Sequence, residues 1–194
     1  MSKSRKKKIL VHTCCVSCAS YVFSELEKMY TVVAYFYNPE IHGRAEYKKR
    51  LNDLEIYCQD NNIQMIVPPY NIQDFLSMLA PYHDNRSIKY ISDKDRYKRK
   101  RCQLCSSLLI NNTVALAKKM RIKNFTTTML CSPYRDHNEI WDKSLELSTI
   151  YKLNFHYQDY RKGYWRGRNY ARSRGYSIPT YCGCSESLDE GRLE

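Results

Sequence analysis

The sequence predicts an α/β protein: a mostly parallel sheet between layers of helices. Two observations carry this. Short β-branched or aromatic runs alternate with longer stretches of helical apolar spacing, which is the pattern of βαβ units. The 194 residues also contain no internal repeat and no Gly/Ser/Pro-rich linker, so they fit one domain whose core is large enough to fold without a cofactor. The expected boundaries are a basic N-terminal extension over residues 1–8, one α/β domain over 9–184 and a tail over 185–194.

The elements follow in order. Ile9 to His12 reads as the first strand, and Tyr21, Val22, Leu26 and Met29 mark a helix over Ala19 to Tyr30. Cys14 to Cys18 then occupies the turn between them, on the ligand side of an open parallel sheet. Thr31 to Tyr37 is a second strand, and a second helix runs from about Ala45 to Asn61. Gln64 to Val67 is a strand ended by Pro68 and Pro69, which lack the amide hydrogen for further ladder bonds. Asn71 caps a short helix with Asp74 at its third position.

Residues 82–101 show no periodicity. They carry Arg86, Lys89, Lys94, Arg96, Lys98, Arg99, Lys100 and Arg101 against Asp84, Asp93 and Asp95, which predicts a mobile basic loop. From Cys102 to Met120 the spacing of Leu104, Leu108, Leu109, Val114, Ala115 and Leu116 is helical, so Cys102 and Cys105 sit one turn apart on one face. Phe125 to Leu130 is the third firm strand, opening onto Ser132 to Asp136 at the same sheet edge. The basic C-terminal segment, expected to be helical, interleaves Arg161, Lys162, Arg166, Arg168, Arg172 and Arg174 with Tyr160, Tyr164, Trp165, Tyr170, Tyr176 and Tyr181. Cations among aromatics are a nucleic-acid surface pattern.

The net charge of +12 points to a polyanionic partner. A membrane span is not expected, because the longest apolar runs, Ile9 to Val11 and Val32 to Phe36, fall far short of about 20 residues. The lysine-rich start is followed by too short an apolar stretch for a signal peptide, which implies a soluble, cytoplasmic protein. In such a setting nine cysteines suggest metal binding or redox catalysis more than a disulfide framework.

Soft thiolates select iron–sulfur clusters, zinc or copper(I), and four about one point are the usual set for a 4Fe-4S cluster. Cys14, Cys15, Cys102 and Cys105 supply four. The adjacent pair is unusual for structural zinc, whose ligands generally lie two to four residues apart, although zinc stays open on thiol count alone. Cys18 forms a CxxC with Cys15 and exceeds what that half of the site requires; it is a spare thiol or a supporting donor. Cys182-Gly183-Cys184 can close a strained, easily reduced disulfide or hold a second metal. Cys58 and Cys131 read as structural.

His12 and His42 stand at the carboxyl edge of the sheet as proton donors or as satisfied hydrogen-bonding histidines. Asp136 could ligate or protonate, or simply cap the helix leading to Ile140.

Taken in order, Leu10-Val11-His12-Thr13-Cys14-Cys15-x-x-Cys18, Tyr37-Asn38-Pro39 with Ile41-His42 and Glu46-Tyr47, Arg101-Cys102-x-x-Cys105, Thr126-Thr127-Thr128 with Ser132-Pro133, and Tyr181-Cys182-Gly183-Cys184 resemble the QueH-type epoxyqueuosine reductases. The resemblance spans about Lys8 to Cys184. It implies a Rossmann-like three-layer fold of the nucleotide alpha-hydrolase type, with residues 9–184 as the catalytic domain. It also implies reduction of epoxyqueuosine to queuosine at the wobble position of tRNA, with electrons from a donor the sequence does not identify.

The resemblance further implies a 4Fe-4S cluster on Cys14, Cys15, Cys102 and Cys105 and a redox-active pair at Cys182 and Cys184. A further single metal ion, iron or zinc, has Cys18, Asp136 and the Cys182–Cys184 pair as candidate ligands. The tRNA contacts expected are Arg99, Lys100, Arg101, Arg161, Tyr164, Arg166 and Arg168. Two positions depart from the family's pattern: Ile178-Pro179 replaces a usual Arg-Gln pair, and Cys131 stands where an aliphatic residue is common. Two other readings use the same residues, a zinc-stabilised RNA-binding module without catalysis and a tRNA-thiolating enzyme. The second lacks the pyrophosphate loop expected after the first strand, whose place the cysteine turn occupies.

Overall fold

A computed structural model of the chain describes residues 6–83 and 94–189. Five parallel strands form one sheet in the order β3-β2-β1-β4-β5: β1 (Lys7–His12), β2 (Tyr30–Tyr35), β3 (Gln64–Ile66), β4 (Asn124–Thr127) and β5 (Asn154–Phe155). The helices are α1 (Val16–Leu26), α2 (Arg44–Asp60), α3 (Ile72–His83), α4 (Lys94–Lys119), α5 (His137–Tyr151), α6 (Tyr164–Ser173) and the short α7 (Ser185–Asp189). Right-handed crossovers from β1 outward to β3 put α1 and α2 on one face, and the return through β4 to β5 puts α4 and α5 on the other. The packing agrees: α1 meets α2 and α6, and α4 meets α3 and α5.

The chain leaves β1 toward β2, while β4 lies on the other side of β1. The loops after β1 and β4 therefore diverge and open the crevice where α/β sheets bind ligands. Cys14 and Cys15 follow β1, and a 3-10 turn over Thr128–Cys131 follows β4. The strands beneath are fully buried at Ile9, Leu10, Val11, Val33 and Ala34, so the floor of the crevice is fixed by the core. Among the described residues no helix is long and apolar enough to cross a membrane.

Several elements differ from the sequence expectation. Helix α1 begins at Val16, so Cys18 lies in its first turn. The last three residues expected of the third strand instead begin the 3-10 turn, where the Thr127 hydroxyl oxygen accepts from the Met129 amide at 3.1 Å. The main correction concerns the basic loop. Residues 84–93, with Arg86 and Lys89, lie outside the described residues, but from Lys94 onward the chain is helical. Its inner stripe is Tyr97, Arg101 and Cys105, with the Arg101 guanidinium 5.9 Å from the Tyr97 ring centroid. That stripe has helical spacing without being aliphatic, which is why apolar periodicity misses it.

The C-terminal segment also folds back rather than standing as an appendage. Helix α6 lies along α1 so closely that a Cβ on Gly167 would fall 1.8 Å from the Ser17 carbonyl oxygen. Beyond it, residues 174–184 cross back to α2 as a strap, where the Ser177 amide donates to Asp53 Oδ2 at 2.8 Å.

Candidate metal and redox centre

The crevice holds a cavity of about 60 Å³. Cys14, Cys15 and Cys18 line it from the end of β1 and the first turn of α1, Met129, Ser132 and Arg135 from the segment after β4, and Tyr181 and Cys182 from the strap. Glu40, Arg50, Tyr164, Arg168 and Pro179 are among the other residues of the wall.

The Sγ atoms of Cys14, Cys15 and Cys18 lie within 4.8 Å of one another, with Cys14 to Cys15 at 3.8 Å. The hydrogen bond to Cys15, together with burial, holds the Cys14 thiol above its ordinary range. At Cys15 the bond from Cys14 acts downward, yet its contact with Cys18 and burial win and push it up to about 12. Cys18 is raised as well, first through its contact with Cys131. A soft cation releases these protons on binding, so three convergent thiols fit a metal or cluster. The thiol read as spare from sequence belongs to this compact group.

Cys102 and Cys105 lie outside that compact set. Cys105 is buried, which raises its pKa, and the ionisable groups that act on it are Glu40, Arg135, Cys182 and Cys102. Burial disfavours the Arg135 cation, but Cys182, Cys105, Cys102 and Glu40 around it outweigh that and raise its pKa. Arg135 thus acts electrostatically on thiols of both α4 and the strap.

Cys182 and Cys184 are free thiols sharing a hydrogen bond. Donation from Cys184, assisted by Arg135, brings Cys182 well below the ordinary thiol range, and the same bond raises Cys184. Gly183 between them has φ +137°, a region that favours glycine. Arg50, only 2% exposed, holds this segment: Nη1 donates to the Cys182 carbonyl at 3.2 Å and Nη2 to the Tyr181 carbonyl at 3.0 Å. Its Nε pairs with Glu46 at 2.7 Å, and the guanidinium lies 5.2 Å from the Tyr181 ring centroid. The His42 amide donates to the Gly183 carbonyl at 2.7 Å, while the His42 side chain is exposed.

His12 is a satisfied histidine. Its Nε2 faces the Tyr37 carbonyl at 3.2 Å and must donate, which leaves Nδ1 to accept from the Thr127 hydroxyl at 3.0 Å. Burial lowers its pKa to about 4, so it stays neutral. Glu40, buried after the Asn38-Pro39 turn, keeps Oε2 without a hydrogen-bond partner on the cavity wall, and burial lifts its carboxyl to about 7.

Asp136 is exposed, and Oδ1 accepts from the Asn138 and Glu139 amides at 2.9 and 3.3 Å. It caps α5 and does not line the cavity. Of the residues read as a nucleic-acid surface, Arg99, Lys100, Arg161 and Arg166 are exposed, with Arg161 paired to Asp159. Arg101, Tyr164 and Arg168 are buried. Arg168 donates to the Pro179 carbonyl at 3.1 Å and the Tyr164 hydroxyl at 3.3 Å, and both residues belong to the cavity wall. A cation/aromatic pattern does not separate a guanidinium that faces solvent from one that closes a cavity.

Sequence reading passed over Glu40, Arg50 and Arg135. Each carried a signal: an acid just after a strand-ending Asn-Pro, a Glu46–Arg50 pair at helical i,i+4 spacing, and a cation one residue before the Asp136 cap.

Comparison with known proteins shows what the chain is similar to. A family model described as "Epoxyqueuosine reductase QueH" matches residues 9–190. A protein of that name from Thermotoga maritima is 26% identical over 186 residues, covering 95% of this chain and 92% of that protein. One from Dehalococcoides mccartyi is 25% identical over 179 residues, covering 91% and 90%. One from Staphylococcus aureus is 26% identical over 185 residues, covering 92% and 75%.

Proposed function

The chain belongs to the epoxyqueuosine reductase QueH family and is an oxidoreductase; on that premise we propose that it reduces epoxyqueuosine to queuosine at the wobble position of tRNA. The observation that carries this is one cavity with Cys14, Cys15 and Cys18 on its wall and the depressed Cys182 thiol of a CxC pair facing them. A 4Fe-4S cluster on Cys14, Cys15, Cys102 and Cys105 would supply single electrons and Lewis acidity toward the epoxide oxygen. Cys18, the remaining thiol of the compact group, is available to a further single iron or zinc ion.

The balance of the reaction fits the CxC pair. Converting the epoxide to an alkene breaks both C–O bonds, consumes two electrons and two protons, and releases water. Oxidation of the Cys182 thiolate and the Cys184 thiol to a disulfide releases two electrons and one proton, and the second proton comes from solvent. An external donor then returns two electrons, with one proton taken from solvent to restore the Cys184 thiol. Arg50 holds the pair on the cavity, Arg135 favours the Cys182 thiolate, and Glu40 offers its unpartnered oxygen as a hydrogen-bond group. Exposed Arg99, Lys100, Arg161 and Arg166 supply phosphate contacts for the tRNA.

Anaerobic purification followed by turnover of epoxyqueuosine-containing tRNA and nucleoside mass analysis tests the reading. A brown protein containing iron and sulfide that produces queuosine is the expected result. A colourless zinc protein that binds RNA without conversion would overturn it in favour of an RNA-binding module.

A further inference from the structure

Two large rings stand open to solvent beside the cavity: Trp165, 57% exposed, and Tyr134, 51% exposed. Both meet the buried Tyr164 edge-on, Trp165 at a centroid distance of 5.2 Å and Tyr134 at 6.0 Å, with interplanar angles of 76° and 75°. Tyr164 is itself cavity wall, as is Arg168, whose guanidinium lies 5.6 Å from the Trp165 centroid. The two exposed rings therefore flank one shared wall residue at the rim.

The mounting is rigid. Trp165 sits in the first turn of α6, which Gly167 seats directly against the α1 backbone, and a guanidinium braces its ring. Tyr134 stands between Ser132, whose hydroxyl oxygen accepts from the Tyr134 amide at 3.2 Å, and the capped start of α5. The surroundings are cationic: α6 contains no acidic residue, Arg161, Lys162 and Arg166 are exposed near Trp165, and the charges of Lys100 and Arg99 are felt at Glu139, in the first turn of α5 after Tyr134.

Exposed rings with cations around them match single-stranded nucleic acid, whose bases offer π-faces and whose backbone offers phosphates. A nucleotide reacting in the cavity must leave the stack, which strands its neighbours without a stacking partner. We propose that Trp165 and Tyr134 form a stacking platform for the unpaired nucleotides on either side of the one that enters the cavity. The proposal rests on the reading of tRNA as substrate and adds how the anticodon loop is held open at the rim.

The test uses the iron–sulfur-loaded protein, a chemical reductant, and an anticodon stem-loop RNA bearing epoxyqueuosine. Trp165→Ala is expected to raise KM and the dissociation constant about ten-fold, with kcat within two-fold of wild type and the melting temperature lowered by no more than a few degrees. Trp165→Phe restores most of the affinity, and Tyr134→Ala gives a smaller rise. Removing the flanking bases from the RNA weakens wild-type binding and cancels the penalty of Trp165→Ala, since the ring then has nothing to stack on.

Equal penalties on intact and base-depleted RNA would overturn the platform, as would an unchanged KM. If Trp165→Ala slows turnover only with a protein electron donor and leaves RNA affinity intact, the rings dock that donor and the proposal fails. Wild-type protein that converts the RNA while the variants behave as wild type removes the platform alone. Wild-type protein that neither binds nor converts it removes the tRNA reading and the platform together.

Discussion

Replacing Arg50 by Met keeps most of the side-chain volume and removes the donors that tie the Tyr181–Cys182 end of the strap to α2, leaving the Ser177 bond to Asp53 in place. Two main-chain carbonyls lose their partners, Tyr181 at 3.0 Å and Cys182 at 3.2 Å, along with the cation–π contact to Tyr181 at 5.2 Å. An abandoned buried acceptor costs about 1–3 kcal/mol, and a partly buried cation–π contact is worth about 1 kcal/mol. Roughly 4 kcal/mol of docking free energy is therefore at stake, less than the whole domain's stability of about 5–15 kcal/mol. What remains near the CxC pair is the His42 amide on Gly183 and the long Tyr181 hydroxyl bond to the His42 carbonyl at 3.4 Å. The strap should then open locally while the sheet stays folded. Hydrogen exchange should accelerate by about a thousand-fold across residues 181–184 and by little in β1, the ratio that 4 kcal/mol implies. Cys182 alkylation should rise and turnover fall by more than ten-fold at unchanged tRNA affinity. Arg50→Lys should recover little, because an ammonium cannot span both carbonyls and Glu46 as the planar fork does. Unchanged exchange in the strap together with turnover within two-fold of wild type would refute the reasoning.

Other expectations follow from single contacts. The double variant Cys182→Ser with Cys184→Ser should lose turnover under a chemical reductant while keeping its iron; full turnover would remove the relay role. Gly167→Ala sets a methyl 1.8 Å from a main-chain oxygen, so α6 must move off α1; the loss, at the upper end of overpacking costs or about 3 kcal/mol, should appear in thermal melts. Asp136→Ala should cost about 1 kcal/mol as a lost helix cap without changing kcat, and Asp136→Asn should restore most of it. A collapse of kcat in Asp136→Asn at an unchanged melting temperature would instead give the carboxylate a chemical role.

Much of the fold was legible because β1, β2 and α2 have the periodicity their burial demands. Lys7–His12 runs exposed at its start and buried after, and Arg44–Asp60 repeats its buried positions at Tyr47, Arg50, Leu54, Tyr57 and Cys58. Illegible were the elements whose inner faces are not aliphatic. The first two turns of α4 turn Tyr97 and Arg101 inward, and β5 is only two residues long, paired through Asn124 with Asn154 and Phe125 with Phe155. In the site, thiol spacing marked the cysteines, since few other roles explain three such groups in one chain. Arg101 and Arg168 are buried where a surface was expected, because sequence reports a charge but not the side of a helix that carries it. Arg166 is exposed while Arg168, two residues on, closes the cavity.

The thiols around the cavity fall into two classes, and that division bears on their roles. Cys14, Cys15, Cys18 and Cys105 are all raised by burial or by one another, so each keeps its proton until a soft cation takes its place. Cys182 alone is lowered, because Cys184 donates a hydrogen bond to it and Arg135 stands nearby. A ligand thiol has no need of a depressed pKa, since the metal supplies the driving force. A thiol that forms and breaks a disulfide does need one, since the thiolate is the reacting species. The position of Arg135 makes the distinction structural. Its charge acts on Cys102 and Cys105 of α4 as well as on Cys182 of the strap, so the charge that favours the thiolate is also felt by the proposed cluster ligands. Neutralising it with Arg135→Met should therefore slow alkylation of Cys182 at neutral pH without loss of iron, whereas a purely structural Arg135 would leave the pH profile of that alkylation unmoved.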